Sequence, residues 1–173
     1  ALVIEPLNGY RTKERMPLNF GEFTQALGVP EIVKEGSDLT LVSYGSTFNI
    51  CELAVAQLEE LGISVELIDA QTLLPFDRNH QILLSIQKTH RVLFADEDMP
   101  GGATAYMMQE VIDKQGGFNW LDAPARCLSA PPHRPAYSSD GDYFSKPNVE
   151  NVVDTVYEMM REVDPTSFPA IYF

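Results

Sequence analysis

The strongest constraint on the fold lies between residues 38 and 69, where the apolar spacing changes period twice. Leu39, Thr40, Leu41, Val42 and Ser43 form a nearly unbroken apolar and β-branched run that ends at Tyr44, the pattern of a strand covered on both faces. Gly45 breaks that run. From Phe48 the apolar positions recur at Cys51, Val55, Leu58 and Leu61, with Asn49, Glu52, Gln57, Glu59 and Glu60 on the other side, so the period is now helical. Gly62 stands where a helix-ending glycine belongs, and a second strand, residues 64–69, follows at once. Strand, helix and strand at this spacing predict a crossover between parallel neighbours.

The alternation continues downstream. Residues 73–77 read as a loop entering a helix, with Asp77 as the cap, Ile82, Leu83 and Ile86 as the buried stripe and His90 at the close. Residues 91–96 are the next buried strand and run into Glu97-Asp98-Met99-Pro100-Gly101-Gly102. A helix carrying Ala105, Met108, Val111 and Ile112 stops at Gly116-Gly117, and residues 125–129 form one more short strand after Trp120. A Pro- and Tyr-rich loop, 131–147, leads to a last helix whose Val149, Val152, Val153, Val156, Met160 and Val163 share a face and which Pro165 ends. Upstream, residues 31–34 suit a short edge strand, charged at Glu31 and Lys34 and free to run antiparallel. The prediction is an α/β three-layer sandwich with a mostly parallel sheet of about five strands over residues 31–164.

Residues 1–30 differ in kind. Pro6, Gly9, Pro17, Gly21, Gly28 and Pro30 give a linker composition, yet Ile4, Leu7, Tyr10, Leu18, Phe20, Phe23 and Leu27 are too many apolar residues for a solvated tether. They predict an arm lying on a surface. With Ala1 rather than methionine at the start, we expect this arm to lead out of a preceding domain, and residues 165–173 to form a tail.

The net charge of −13 in 173 residues sets the class of partner, because a phosphate backbone or an anionic membrane is repelled. Such an acidic balance is ordinarily a solvated face, with a docking surface for a basic module as the second reading. No apolar run approaches the ~20 residues of a membrane span, and the first residues lack the basic-then-apolar signature of a signal peptide. Cys51 and Cys127, in a helix and a strand without ligand spacing, read as buried free thiols of a reducing compartment, which is expected to be the cytoplasm.

In parallel sheets, ligands and partners sit at the carboxyl ends of the strands. Gly45-Ser46-Thr47 opens a helix there, but one glycine and no following lysine make a capped turn the default reading over a phosphate site. Asp96-Glu97-Asp98 offers oxygens to a hard cation, although adjacent carboxylates diverge and no further ligand is suggested; helix capping or a partner contact competes with that reading. His133, in the rigid Pro131-Pro132-His133-Arg134-Pro135-Ala136-Tyr137 loop, is the one histidine suited to proton transfer, without an assignable nucleophile or acid. His80 and His90 read as helix-end residues.

Three stretches carry a resemblance when taken in order: Asp38-Leu-Thr-Leu-Val-Ser-Tyr-Gly-Ser, then Gly62-Ile-Ser-Val-Glu-Leu-Ile-Asp-Ala-Gln-Thr-Leu-Leu-Pro-Phe-Asp, then Thr89-His-Arg-Val-Leu-Phe-Ala-Asp-Glu with Gly101-Gly102. Over residues 31–163 the chain resembles the C-terminal domain of transketolase-like thiamine-diphosphate enzymes. It is most similar there to the beta chain, separate or fused to an alpha chain, of the 2-oxoacid dehydrogenase first component, of the 2-oxoisovalerate or pyruvate type. Ile4-Glu5-Pro6-Leu7-Asn8-Gly9-Tyr10-Arg11 resembles the segment leaving that family's pyrimidine-binding domain.

The resemblance implies a non-catalytic assembly domain with no catalytic, cofactor or metal residue of its own. Thiamine diphosphate and Mg²⁺ would be held by other domains of the intact enzyme. The implied partners are those domains, the alpha chain, a second copy, and the subunit-binding domain of a lipoyl acyltransferase. Tyr10, Arg11, Glu97, Gly101, Gly102, His133, Arg134 and Tyr137 are the candidate interface or loop residues. The loop departs from the family pattern at His133-Arg134 and at Asp140-Gly141-Asp142. The same domain in transketolase or deoxyxylulose-phosphate synthase is an alternative, as is a free-standing receiver-like module. The latter wants an acidic pair at the end of the first strand, where Ser43-Tyr44-Gly45 supplies none.

Overall fold

Leu39, Leu41, Val65, Leu67, Leu93 and Ala95 point to one face of a single sheet, and Val42, Ile68, Val92 and Phe94 to the other, all essentially without solvent exposure. This two-sided burial is why the strand runs are continuous rather than alternating in sequence. The computed structural model describes residues 1–170 except Glu14, Pro17, Ala136 and Ser138, and omits the side chains of Asn8, Ser139, Asp140 and Asp142. Pro17 of the arm, Ala136 of the 131–137 loop and the last three tail residues therefore lie outside the described residues.

The sheet has five strands: β1 (Glu31–Lys34), β2 (Leu39–Ser43), β3 (Val65–Asp69), β4 (Val92–Ala95) and β5 (Arg126–Leu128), in the order β1-β3-β2-β4-β5. β2 is central and pairs in parallel with both β3 and β4, while β1 lies at an edge, antiparallel to β3, with Glu31 opposite Asp69. Helices α1 (Gly45–Glu60) and α5 (Val149–Val163) cover the first face. On the other face lie α2 (Gln81–Thr89) and α3 (Ala103–Met108), the latter continuing as a π-helix through Gln109–Lys114.

Helix ends follow local chemistry, with two departures from the sequence reading. Gly62 takes φ +79° just past α1, and His90 closes α2 at φ +61°. α5 starts with a reciprocal capping box, in which the side chains of Asn148 and Asn151 each accept from the other's backbone N–H at 2.9 and 3.1 Å. α1 has no Ser/Thr cap: Tyr44 occupies the N-cap position and its side chain makes no capping bond to the helix. Asp77 does serve α2, its Oδ1 accepting from Gln81 and Ile82 N–H at 2.8 and 3.3 Å, although the N-cap position itself is His80 at φ +56°. The loop read over 131–147 contains a short helix, α4 (Ser139–Ser145).

Cys51 is fully buried, and burial pushes its thiol up to about 12. Cys127 corrects the sequence reading, being exposed, because β5 is the second edge of the sheet. The last helix buries Val152, Val156, Tyr157, Met159 and Met160, while Val163, expected on that face, is partly exposed. The tail is seated on it: Phe168 packs edge-on against Tyr157, whose hydroxyl donates to the Pro169 carbonyl at 3.0 Å.

The arm behaves differently. Apart from a 3-10 turn at Leu7–Arg11, it has little regular structure. Leu2, Ile4, Leu7, Tyr10, Leu18, Phe20, Phe23 and Leu27 are each at least 61% exposed, so the surface expected beneath the arm is not the folded body of this chain. Among the described residues no helix is long and apolar enough to cross a membrane.

Candidate functional site at the carboxyl edge

The connection after β2 goes to the α1 face and the connection after β4 to the α3 face, so the chain diverges between these neighbouring strands. Such a switch point opens a crevice at the carboxyl ends of parallel strands. Here the groups at that edge bond to one another. Asp96, 1% exposed, accepts through Oδ1 from Asp98 N–H at 3.2 Å and through Oδ2 from Thr104 N–H at 3.1 Å. The Tyr44 hydroxyl donates to the same Oδ2 at 3.4 Å. Burial raises the Asp96 carboxyl above the usual carboxylate range against the pull of these N–H groups, and burial beside Asp96 raises the Tyr44 phenol well above its ordinary value.

Glu97 extends this network toward solvent. Its carboxylate accepts from the Ser46 hydroxyl at 3.1 Å, over the start of α1, and pairs with Lys146 at 3.1 Å from beyond α4. A carboxylate held on the Ser46 hydroxyl, beside the start of α1, disfavours by like charge the phosphate reading of Gly45-Ser46-Thr47. Thr104 Oγ1 and Ser129 Oγ, 2.9 Å apart, join α3 to the end of β5.

Gly102 is required by close approach, since a Cβ there would stand 2.1 Å from Asp98 Oδ2; Gly101 turns the chain at φ +92°. Ala130 N–H donates to the Asp98 carbonyl at 2.9 Å and so ties the 131–137 loop to the 97–102 loop. Within the former, His133 Nδ1 contacts the Arg134 carbonyl at 3.1 Å. The Arg134 guanidinium lies over the Tyr137 ring at 5.4 Å, with Nη2 donating to its hydroxyl at 2.7 Å. His133, Arg134 and Tyr137 are all exposed.

Of the expected residues, Glu97, Gly101 and Gly102 share one loop, and His133, Arg134 and Tyr137 a second loop hydrogen-bonded to it. Tyr10 and Arg11 are not brought to either, and Tyr10 donates instead to Glu5 within the arm. Sequence reasoning missed Tyr44, Thr104 and Ser129; an acid closing a buried strand next to a small-residue helix start is the signal that points to them. It also missed Asp69 at the end of β3, whose carboxyl burial raises, with Glu31 and Glu52 adding to the effect.

Chemically the edge is acidic and internally bonded. Among the described residues no three His, Cys, Asp or Glu side chains form a metal-ligand set. The donor set does not fit thiamine diphosphate, whose pyrophosphate needs cations or free backbone N–H groups: this edge presents the carboxylates of Asp69, Asp96, Glu97 and Asp98, and the Asp98 and Thr104 N–H groups already donate to Asp96.

Residues 28–152 match the family model described as the C-terminal domain of transketolase. The chain is similar to acetoin:2,6-dichlorophenolindophenol oxidoreductase subunit beta of Bacillus subtilis (strain 168), with 32% identity over 91% of this chain and 45% of that protein. It is also similar to pyruvate dehydrogenase E1 component subunit beta of Mesostigma viride, 33% identical over 87% of this chain and 45% of that one. The same subunit of Chlorokybus atmophyticus is 38% identical over 75% of this chain and 38% of its own length. The chain thus spans about half the length of the curated relatives it matches. Among solved structures, a split-gene transketolase described as an inactive beta4 tetramer shares the fold with TM-score 0.63 and 22% identity, over 80% of this chain and 44% of that one.

Proposed function

Since the chain belongs to the family of transketolase C-terminal domains, we propose that it is the assembly and partner-docking domain of a thiamine-diphosphate-dependent 2-oxoacid dehydrogenase. The parent would oxidatively decarboxylate a 2-oxo acid of the 2-oxoisovalerate or pyruvate type and pass the acyl group to lipoyl. The observation that carries this reading is the bonding of the switch-point groups to the protein itself: Tyr44 donates to Asp96, Ser46 donates to Glu97, and Glu97 pairs with Lys146, at the place an α/β enzyme keeps for its ligand. The similarity to beta subunits of pyruvate dehydrogenase and of an acetoin oxidoreductase supports the reaction class.

On this reading thiamine diphosphate and Mg²⁺ belong to other parts of the assembled enzyme, and the chain works in the cytoplasm. It contributes surfaces to the alpha chain, to a second copy and to a lipoyl acyltransferase's subunit-binding domain. The acidic edge suits a basic module, with binding that weakens as salt rises.

The test is twofold. Calorimetric titration of the chain with thiamine diphosphate and Mg²⁺ is expected to give no binding heat, and a micromolar site would overturn the assembly reading. The parent enzyme assembled with its alpha chain is expected to decarboxylate 2-oxoisovalerate or pyruvate, with Glu97→Lys lowering retention of the acyltransferase partner while leaving decarboxylation intact. Turnover of a sugar phosphate instead would favour the transketolase alternative.

A further inference from the structure

β1 is held differently from its neighbours. Its residues alternate between exposed and half-buried, whereas β2 and β4 are buried throughout, and its register against β3 is interrupted between Ile32 and Lys34. A short edge strand with so little apolar cover belongs to the weakly protected end of a fold. Polar and charged links supply the hold instead. Lys34 pairs with Glu59 of α1, and Gln71 Nε2 donates to Glu31 Oε2 at 2.9 Å.

A third link reaches into the core. Glu66 of β3 has no solvent exposure, and a glutamate is rarely buried so completely unless it is paired. Its Oε2 accepts from Lys88 Nζ and, at 3.3 Å, from Gly36 N–H, while its Oε1 is buried without a hydrogen-bond partner among the described residues. Lys88 Nζ also donates to Glu35 Oε2 at 2.7 Å. One ammonium at the end of α2 therefore joins a buried carboxylate to the turn that follows β1. Among the described residues it is the only cation paired with Glu66.

One side of this contact is fixed and the other is not. The hydroxyl of Thr89, next to Lys88, shares a 2.7 Å hydrogen bond with that of Thr40, the residue of β2 opposite Glu66, so the last turn of α2 is tied to the sheet. The turn lies against β3 as well: a Cβ at Gly36 would run into the Val65–Glu66 backbone. Without the ammonium, Glu66 is a buried charge with neither cation nor water, the costliest state for a carboxylate. Opening the two-layered core to hydrate it sacrifices packed apolar residues, whereas lifting β1 with Glu35 and Gly36 sacrifices few.

We infer that Lys88 is an electrostatic latch on β1: its charge keeps the edge strand paired, and loss of that charge releases β1 while the other strands stay folded. Because β1 carries the arm at one end and sets Glu31 opposite Asp69, release also unroots the arm and withdraws a carboxylate from the carboxyl edge.

Amide hydrogen exchange of the full chain tests the latch. Lys88→Met is expected to speed exchange in β1 at least about a hundredfold relative to β2 and β4. Lys88→Arg, which keeps the charge, should hold β1 within about tenfold of the wild type. Glu66→Gln/Lys88→Met removes both charges and should restore β1 protection, which also serves should Lys88→Met alone fail to fold. Equal acceleration of β1, β2 and β4 in Lys88→Met overturns the latch, because the pair then stabilises the whole fold. Unchanged β1 exchange in that variant, or a folded double variant whose β1 is left unprotected, overturns it too.

Discussion

Residues 1–27 and the sheet with its helices are both rich in apolar side chains, yet they put them to opposite use. Phe94 in β4 is fully buried, whereas Phe20 and Phe23 in the arm are 73% and 61% exposed. The difference is one of period rather than content. In the body the apolar residues recur at spacings that gather them onto two faces of one sheet and one stripe per helix. The arm's residues, interrupted by Pro6, Gly9 and Gly21, share no face that the chain itself can cover. An apolar segment with no internal partner marks a contact surface, while the same residues in register build a core.

The largest effect separating the two regions is expected from matched truncations. Phe94→Ala should cost about 3–5 kcal/mol of stability, because it opens a cavity between β4 and the α2/α3 layer. Phe20→Ala should change monomer stability by less than about 0.5 kcal/mol. Equal costs in chemical denaturation would erase the distinction between core and arm.

A smaller effect concerns the body's own loops, which buried carboxylates hold in place of apolar packing. Asp77→Ala removes the acceptor of two N–H groups at the start of α2 and should cost about 1 kcal/mol. Asp77→Asn, which keeps an acceptor oxygen, should recover much of that loss in the same denaturation series.

The smallest effect is one of pH. Burial raises the carboxyls of Asp69, Asp77 and Asp96 in the folded state, so each contributes most below the unfolded carboxylate value of about 3.9 and loses that contribution as pH rises through its folded value. Glu35, held low by Lys88, and Asp164, held low by Ser167, act in the opposite sense and lose their contribution as pH falls. Asp69→Asn should therefore raise the melting temperature at pH 7, where the charged form is disfavoured by burial and by Glu31 and Glu52, and make no difference near pH 3. A larger gain at pH 3 than at pH 7 would reverse the assigned sign.

The body was legible in sequence because its strands are two-sided: the run at 39–43 could only be central, and charged Glu31 and Lys34 could only be at an edge. The helix ends at Gly62 and His90 were equally visible. Less visible was the second edge. The short β5 reads like a buried strand until its place in the sheet is known, which is why Cys127 is exposed. The π-helical continuation of α3 and the short α4 leave no periodic signature over so few residues. At the site, the acidic run at 96–98 was apparent, but its closure by Tyr44, Ser46 and Lys146 depends on contacts 49 to 52 residues apart in sequence that no local spacing encodes.

Amide hydrogen exchange of the full chain at about 1 µM and about 100 µM reads both regions in one experiment. Exchange in β2 and β4 should be slow and the same at both concentrations, while amides of residues 4–27 should exchange freely at the lower one and become protected at the higher one. Arm amides that stay unprotected at about 100 µM, or that are already protected at about 1 µM, would contradict the proposal that the arm is one of the surfaces this domain offers to a second copy.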